Sequence, residues 1–278
     1  MTLNCKGTLV DLNTPKVMGI LNITPDSFYD GGRYLDEKSV VAQVAHMLDA
    51  GSTFIDLGAQ SSRPGASLIS EKEELDRILP VAHRLLKEFP DILLSIDTFR
   101  SNVAQQCLDA GAAMINDISS GNLNPQMMSV VAAYRVPWIM MHMRGVPENM
   151  QEQTEYTDLT RDILYFFSEK LVQARSLGIH DIIVDPGFGF SKTLDQNYAL
   201  LNQLALFRNL EVPLLVGISR KSMIHKLLGI TAQEALNGTT ALHILALQKG
   251  ASILRAHDVP EAMQCIALHR QLTQYQWQ

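Results

Sequence analysis

Eight short apolar runs, each with a polar or charged residue at or near its end, recur along almost the whole of this 278-residue chain. Stretches with the apolar spacing of helices separate them. Continuous apolar runs suit strands that are buried on both faces, and their alternation with helices favours parallel pairing. The pattern therefore predicts an α/β fold, a single-domain (β/α)₈ TIM barrel over residues 1–278 with its core at about 17–272. The runs lie at 17–22, 54–58, 93–98, 114–118, 138–142, 182–187, 214–219 and 252–258.

The stretches between the runs predict the helices. Ser70 precedes one of them as an N-cap, with Glu73 at capping-box distance. Pro80 lies inside the same stretch and predicts a kink or a division into two helices. Glycines 51, 111, 178 and 250 follow helical patterns and are expected to end them. The predicted helices are roughly 37–50, 71–88, 101–110, 125–134, 158–177, 195–208, 234–249 and 260–272.

The residues near the strand ends are candidates for the active site, because the C-terminal strand ends of such a barrel converge on one active-site mouth. Three long segments, 24–36, 59–70 and 144–156, also follow strand ends, and such segments are usually lids or binding loops. The strand-end residues expected around one pocket are Asn22, Asp56, Asp97, Asn116, His142, Asp185, Ser219 and Arg255.

Composition excludes several classes of partner. The net charge of −6 provides no basic field for a nucleic acid, and no apolar run approaches membrane-spanning length. The first ten residues lack the basic start and apolar core of a signal peptide, so a cytoplasmic protein is expected. Cys5, Cys107 and Cys265 are scattered without metal-ligand spacing and are interpreted as reduced thiols.

A first group of candidate site residues comprises Asp97, Asn116, Asp185 and Lys221. Two partly buried acids in one pocket need hydrogen-bond donors or a cation, and Lys221 can supply the charge. Together with the amide of Asn116 they suit a flat heterocycle with an amide and amino edge, such as a guanine-like or pterin ring. The alternative is that both acids cap helices or brace the barrel, and for Asp185, which precedes a Pro-Gly turn, this alternative stays open.

A second group indicates an anion site. Serine hydroxyls, backbone N–H groups and the Arg63 guanidinium of a Ser-Ser-Arg-Pro-Gly turn can surround phosphate oxygens. Barrels of this type often bind phosphate beside their last two strands, and Asn22 can help to hold a Mg²⁺ that also binds the anion. The alternative is a surface ion pair of Arg63. The group consists of Asn22, Ser61, Ser62, Arg63, Arg255 and His257.

Other motifs give no support to competing chemistries. The segment GFGFSKT at 187–193 lacks the length and the glycine before its lysine that a phosphate-binding loop requires. The chain contains no HExxH, GxSxG or CxxC motif, so the sequence gives no support to zinc-protease, esterase or thiol-redox chemistry. His142 is interpreted as a strand-end packing residue.

Seven ordered segments between residues 17 and 259 together resemble dihydropteroate synthase. The resemblance implies a Mg²⁺-dependent, homodimeric barrel enzyme. It joins (7,8-dihydropterin-6-yl)methyl diphosphate to 4-aminobenzoate and releases 7,8-dihydropteroate and diphosphate. The segments are VMGILNITPDSFYDGG, FIDLGAQSSRPGA, SIDTFR, MINDISSG, VDPGFGFSK, GISRKSM and ILRAHDV.

The resemblance also implies roles for individual positions. Asp30, Asp97, Lys221 and Arg255 are the expected catalytic residues. The pterin is held by Asp97, Asn116, Asp185, Lys221 and Arg255. The diphosphate is bound by Asn22, Ser62, Arg63, Arg255 and His257, and Asn22 is the metal ligand. The aminobenzoate pocket is formed by Phe28, Ser62, Pro64, Phe190 and Ser222.

The chain departs from the family pattern at a few positions. Ala59-Gln60-Ser61-Ser62 stands where the family usually has Gly-Glu-Ser-Thr, a change expected to alter the second loop and the fit of sulfonamides. Arg144 and His243 stand in place of the commoner glutamine and asparagine. None of these differences removes a pterin or diphosphate contact.

The implied chemistry needs no strong base, because an aromatic amine is already a neutral nucleophile. We hypothesise a dissociative displacement at the pterin methylene carbon, in which Mg²⁺, Arg63, Arg255 and His257 stabilise the departing anion and Asp30 lies near the developing cation. Two alternatives remain at this stage. One is a pterin-dependent methyltransferase with the same barrel, which needs no anion site, and the other is a pterin-binding paralogue without turnover.

Overall fold

The computed structural model describes residues 1–23, 37–60 and 68–275. A two-stranded antiparallel hairpin precedes an eight-stranded sheet, in which every neighbouring pair is parallel. The hairpin consists of β1 (Thr2–Cys5) and β2 (Thr8–Asp11). The sheet consists of β3 (Lys16–Asn22), β4 (Phe54–Gly58), β5 (Leu94–Asp97), β6 (Met114–Asp117), β7 (Trp138–Met141), β8 (Ile182–Asp185), β9 (Leu215–Val216) and β10 (Ile253–Ala256).

The sheet closes on itself and confirms the predicted (β/α)₈ barrel. Its strands follow the order β8-β7-β6-β5-β4-β3-β10-β9. Val184 of β8 forms a parallel bridge with Leu214, which lies just before β9, and its N–H donates to the Pro213 carbonyl at 3.0 Å. The two edges of the sheet therefore meet, and the strand ends are arranged around one mouth, as expected from the sequence.

The helices follow the strands around the outside of the barrel. None in the described part of the chain is long and apolar enough to cross a membrane. The sequence pattern predicted all of them except α7, whose seven residues are too few for a periodic signal. They are α1 (Glu37–Asp49), α2 (Glu71–Glu88), α3 (Ser101–Ala110), α4 (Gln126–Tyr134), α5 (Leu159–Ser176), α6 (Leu194–Asn202), α7 (Ser222–Leu228), α8 (Leu236–Gln248) and α9 (Val259–Thr273).

Local signals at the helix ends are largely confirmed. The Ser70 hydroxyl accepts the N–H of Glu73 at 3.2 Å at the start of α2. The Glu73 carboxylate is not part of a capping box, because it pairs with Arg77 at 2.5 Å. Pro80 does not divide α2, which runs unbroken from residue 71 to 88. Pro80 lies on the exposed face, where water can solvate the carbonyl that it leaves without a helical donor. Glycines 51, 111, 178 and 250 all have positive φ at helix ends, as predicted.

Inward-facing side chains form an apolar floor at the N-terminal end of the barrel. Met18, Phe54 and Ile183 pack there with residues from the other strands, and Leu3 and Cys5 of the hairpin cover them from below. The Lys6 ammonium donates to the Gly111 carbonyl at 2.7 Å and anchors the hairpin turn. The hairpin, which the sequence pattern did not predict, thus covers this end, and the candidate site residues at the strand ends lie at the opposite end of the barrel.

His243 on α8 is a buried polar side chain without hydrogen bonds from its ring to the described residues. Its side chain is 1% exposed, and neither ring nitrogen has a hydrogen-bond partner among the described residues. Burial lowers the pKa of His243 to about 4, although the charge of Asp258 opposes the shift. The fold therefore tolerates the neutral imidazole and disfavours the imidazolium.

We predict that His243 makes the folded state sensitive to acid. Because its pKa is about 4 when folded and near the usual 6.5 when unfolded, stability present above pH 6.5 is lost as the pH falls toward 4. The full loss is on the order of 3 kcal/mol. His243→Asn does not titrate, so its urea midpoint should fall less than that of the wild type over this range. His83→Asn, at an exposed position on α2, should behave like the wild type; equal pH dependence of all three proteins would contradict the prediction.

Candidate active site

One arginine joins side chains from several strands inside the barrel. The Arg255 Nε lies 2.6 Å from Asp56 Oδ2, and its Nη2 lies 2.8 Å from Asp97 Oδ2. The same Asp56 oxygen accepts the Asn116 amide N–H at 2.9 Å. β10, β4, β5 and β6 therefore each contribute one side chain to a single network above the apolar floor.

The charges in this network are strongly shaped by burial. Burial raises the pKa of Asp97 to about 7, although the positive charge of Arg255 opposes the shift. Burial alone would lower the pKa of Arg255, but the carboxylates of Asp56 and Asp97 outweigh it and raise the pKa above its usual value. Arg255 thus stays charged and keeps two acids close together that would otherwise repel each other.

Two buried side-chain oxygens at the height of this network lack a hydrogen-bond partner among the described residues. Asp56 and Ser95 are paired in register on β4 and β5, so both side chains point into the barrel. Asp56 Oδ1 and Ser95 Oγ are buried, and neither has a hydrogen-bond partner within the described residues. Because buried polar atoms in native proteins are nearly always paired, these two indicate that a polar ligand or solvent completes the interior.

Asp185 and Lys221 lie on the other side of the same space. Asp185 Oδ1 accepts the Gly187 N–H at 2.8 Å, and the Lys221 ammonium donates to the Phe188 carbonyl at 2.5 Å. Burial raises the pKa of Asp185, which Lys221 opposes, and burial lowers the pKa of Lys221 to about 8, which Asp185 opposes. The first group predicted from the sequence is therefore brought together.

Gly217 lies between the two sides of this space. A Cβ built there would meet Asp185 Oδ2 at 3.8 Å and the Arg255 side chain at 3.9 Å. Both are ordinary van der Waals distances. The glycine therefore leaves a gap between an acid and a cation that a side chain at this position would partly fill.

The rim of the pocket holds the other described candidates. His257 is exposed, and its Nδ1 lies 3.0 Å from the Ser219 hydroxyl. Asn22 is partly buried at the end of β3 and pairs in register with Gly58. The Phe190 ring is buried, and the Lys221 ammonium lies 4.8 Å from its centre. Ser222 is partly buried in the first turn of α7.

Several candidates lie outside the described residues, and their roles stay predictions. They are Phe28, Asp30, Ser61, Ser62, Arg63 and Pro64. The base of the segment that contains Arg63 is described: the Gln60 side-chain oxygen accepts the N–H of Ile69 at 2.9 Å, and Arg100 donates to the Ile69 carbonyl at 2.5 Å. Arg100 also pairs with the buried carboxylate of Glu74.

Two buried charged residues, Asp56 and Lys192, were not singled out by the reasoning from sequence. Asp56 lies inside β4, two residues before its end, and was expected at the mouth, but neither group included it. Lys192 was considered only as part of a phosphate-binding loop. Lys192 is 2% exposed, and its ammonium faces His142 and two backbone carbonyls. His142 itself is buried against Phe166, which agrees with a packing role.

Comparisons with known proteins point to one family. The family model of the pterin binding enzymes matches residues 18–257. The chain is 41% identical over 268 residues to the dihydropteroate synthase of Escherichia coli (strain K12), covering 96% of this chain and 94% of that protein. It superposes on the crystal structure of Yersinia pestis dihydropteroate synthase with a sulfonamide drug at a TM-score of 0.92, with 42% identity and coverage of 99% and 100%. The Xanthomonas albilineans dihydropteroate synthase with 4-aminobenzoic acid gives a TM-score of 0.91 and 37% identity, covering 99% of both chains.

We predict that the backbone of the loop after β8 does not accept a side chain at Gly187. Its φ is +75°, and a Cβ there would lie 2.1 Å from the His142 carbonyl oxygen. Gly178 has a similar φ of +79° but open space around it. Gly178→Ala should therefore cost only the backbone strain of about 1–2 kcal/mol. Gly187→Ala should cost clearly more in urea unfolding, and equal losses for the two variants would refute the close contact.

Proposed function

Because the chain belongs to the pterin binding enzyme family, we propose that it is a dihydropteroate synthase. It joins (7,8-dihydropterin-6-yl)methyl diphosphate to 4-aminobenzoate and releases 7,8-dihydropteroate and diphosphate. The observation that carries this proposal is the layer of buried and partly buried acids, amide and cations above the apolar floor, in which two buried polar atoms have no hydrogen-bond partner among the described residues. Such a layer suits a flat ring with N–H donors and a carbonyl.

The ring-binding part of the reaction follows from the donor and acceptor pattern. The carboxylates of Asp97 and Asp185 accept from ring N–H and amino groups, and Asn116 offers both a donor and an acceptor. Lys221 donates to a ring carbonyl or nitrogen once it leaves the Phe188 carbonyl. Since Asn116 and Asp185 are buried and Asp97 and Lys221 are partly buried, each hydrogen bond to the ring offsets a desolvation cost and discriminates against rings with another pattern.

Arg255 connects ring binding with departure of the diphosphate. Its Nε and one Nη are held by Asp56 and Asp97, which leaves the remaining N–H groups of the fork to face the ligand. A fixed cation at this position stabilises the negative charge that develops as the carbon–oxygen bond breaks, without reorganisation at that moment. His257 at the rim and Arg63, in the segment outside the described residues, are proposed to bind the same anion.

Mg²⁺ is proposed to bind through Asn22 and the diphosphate. No group of three or more His, Cys, Asp or Glu side chains suitable for a metal occurs in the part of the chain that the structure describes. This fits Mg²⁺, which takes few protein ligands and binds mainly through waters and phosphate oxygens. When bound, it would neutralise charge on the leaving group.

The acceptor amine is proposed to lie against Phe190 and Ser222. Phe190 forms an apolar wall, and Lys221 above its ring supplies positive charge near the entry. The amine of 4-aminobenzoate attacks as the neutral form, so the protein has to exclude water and align the two substrates and needs no base. Phe28, Asp30, Ser62 and Pro64 are proposed to complete this pocket.

We further propose a cytoplasmic homodimer. The three cysteines are free and buried, which supports a reducing compartment. Leu227 and Leu228 on α7 and Leu245 on the adjacent α8 are 57%, 54% and 42% exposed. Such apolar side chains on neighbouring helices support an association surface in this region.

We predict that the wild type releases diphosphate only when both substrates and Mg²⁺ are present. Asp185→Asn and Arg255→Ala should each lower turnover by about 10²–10³-fold, because each removes a fixed charge from the site. Arg84→Ala, at an exposed position on α2, should leave turnover unchanged. A wild-type protein that binds a pterin without 4-aminobenzoate-dependent release of diphosphate, or that transfers a methyl group to a corrinoid, would disprove the assignment.

We also predict that the exposed leucines hold the dimer together. The double variant Leu227→Glu/Leu228→Glu should give half the mass of the wild type in light scattering, because charged groups replace apolar contacts. Leu268→Glu, at an exposed position on α9, serves as the control and should remain dimeric. A wild-type monomer, or a double variant that stays dimeric, would refute this surface.

A further inference from the structure

Lys192 has a buried ammonium group with three partners. Its Nζ lies 2.9 Å from the Gly187 carbonyl, 2.9 Å from the Phe190 carbonyl and 3.2 Å from His142 Nδ1. An ammonium has three N–H groups, so this geometry uses all of them. The side chain is 2% exposed, and it is therefore committed to the protein and cannot bind a ligand anion.

The loop that Lys192 holds has an unusual backbone. Between β8 and α6, Gly187, Gly189 and Ser191 all have positive φ, of +75°, +82° and +51°. The two glycines adopt this conformation freely, but a left-handed serine is uncommon and needs support from its surroundings. The Lys192 ammonium supplies part of this support, because it joins carbonyls three residues apart in the same loop.

The same loop is tied to the loop after β7. The Ser191 hydroxyl bonds both the N–H and the carbonyl of Arg144, at 2.8 Å each. The Tyr156 hydroxyl donates to the Ser191 carbonyl at 2.9 Å, and the Gln151 amide donates to the Gly189 carbonyl at 3.1 Å. The two loops thus form one wall, and the Lys192–His142 contact lies at its inner, buried end.

Two residues with proposed substrate contacts are attached to this wall. Asp185 ends β8 and bonds the N–H of Gly187, whose carbonyl Lys192 holds. Phe190 has its own carbonyl held by Lys192. A displacement of the ammonium would therefore move the acid that faces the pterin and the ring that faces the aminobenzoate.

We propose that Lys192 is a positioning residue of this site, which fixes the loop between β8 and α6 and the His142 ring without touching either substrate. The inference deepens the proposed function and rests on it. A buried methionine would fill similar space without the desolvation cost of a cation, so packing alone does not account for a lysine here. Burial lowers the pKa of Lys192 to about 7, although Asp185 opposes the shift, so a cation is disfavoured at this position.

The contact also fixes the state of His142. Burial, together with the charge of Lys192, lowers the pKa of His142 well below its usual value, so the ring is neutral. Our proposal takes the Lys192 ammonium as the donor and Nδ1 as the acceptor of this contact, which requires the ring proton to reside on Nε2. This tautomer is a spectroscopic signature of the proposed contact.

The test compares Lys192→Met with Lys87→Met in the full-length protein. Lys87 is an exposed lysine in the last turn of α2. In folded Lys192→Met, kcat should fall about 10- to 100-fold and KM for 4-aminobenzoate should rise, since small misplacements at reacting groups have effects of this size. Lys87→Met should match the wild type. A folded Lys192→Met protein with kcat and both KM values close to those of the wild type would overturn the proposal.

A second variant covers the case in which Lys192→Met does not fold. His142→Phe keeps a ring against Phe166 but removes one acceptor of the ammonium. It should change the same kinetic constants in the same direction, and unchanged constants in the folded variant would overturn the proposal. ¹⁵N-histidine spectra of the wild type should show His142 protonated on Nε2, and a proton on Nδ1 would equally overturn it.

A further readout separates this proposal from the proposed function. Affinity for 6-hydroxymethylpterin, followed by pterin fluorescence, needs no turnover. If the wild type binds this probe but releases no diphosphate, the synthase assignment fails. The positioning role is then judged by whether Lys192→Met weakens probe binding several-fold, as expected, or leaves it unchanged, which would overturn it.

Discussion

The pairing of Arg255 with Asp56 and Asp97 is the interaction on which the rest of the site depends. A guanidinium in a barrel interior is tolerated only if carboxylates compensate it, and two acids so close together are tolerated only if a cation lies between them. Each partner therefore makes the others possible. Because the shared Asp56 oxygen also holds Asn116, one cation sets the spacing of side chains from four strands. The pocket is organised before any substrate arrives.

Much of the fold could be predicted because burial on both faces leaves a clear trace in sequence. The strands of the barrel are continuous apolar runs, and glycines mark the helix ends. The N-terminal hairpin gave a weaker signal: its strands have four residues each, and only Leu3, Cys5 and Val10 point inward. Its turn at Lys6 and Gly7, both at positive φ, is a local signal that a search for helix-period and strand-length patterns does not detect. Whether α2 could continue through Pro80 depended on whether the proline lay on the exposed face of the helix, which the sequence did not decide.

The site was predictable to the extent that it depends on strand ends. Asp97, Asn116, Asp185 and Arg255 were expected at one mouth and lie there. The sequence could not show that Asp56 is the shared acceptor, because pairing depends on register between strands distant in the chain. It could not assign Lys192 either, since the direction of its side chain follows from three left-handed residues in the preceding loop. Motif reasoning gave no support to a phosphate-binding loop there and offered no other role for the lysine.

The absence of a side chain at position 217 has a consequence for how this pocket can change over time. A methyl group at that point would meet its protein neighbours at comfortable distances, so folding alone exerts little pressure for glycine. The gap between the acid of β8 and the cation of β10 would nevertheless be narrowed. The requirement for glycine at this position is therefore expected to come from ligand binding. A related protein that no longer binds the substrate should accept a substitution of this glycine early in its divergence.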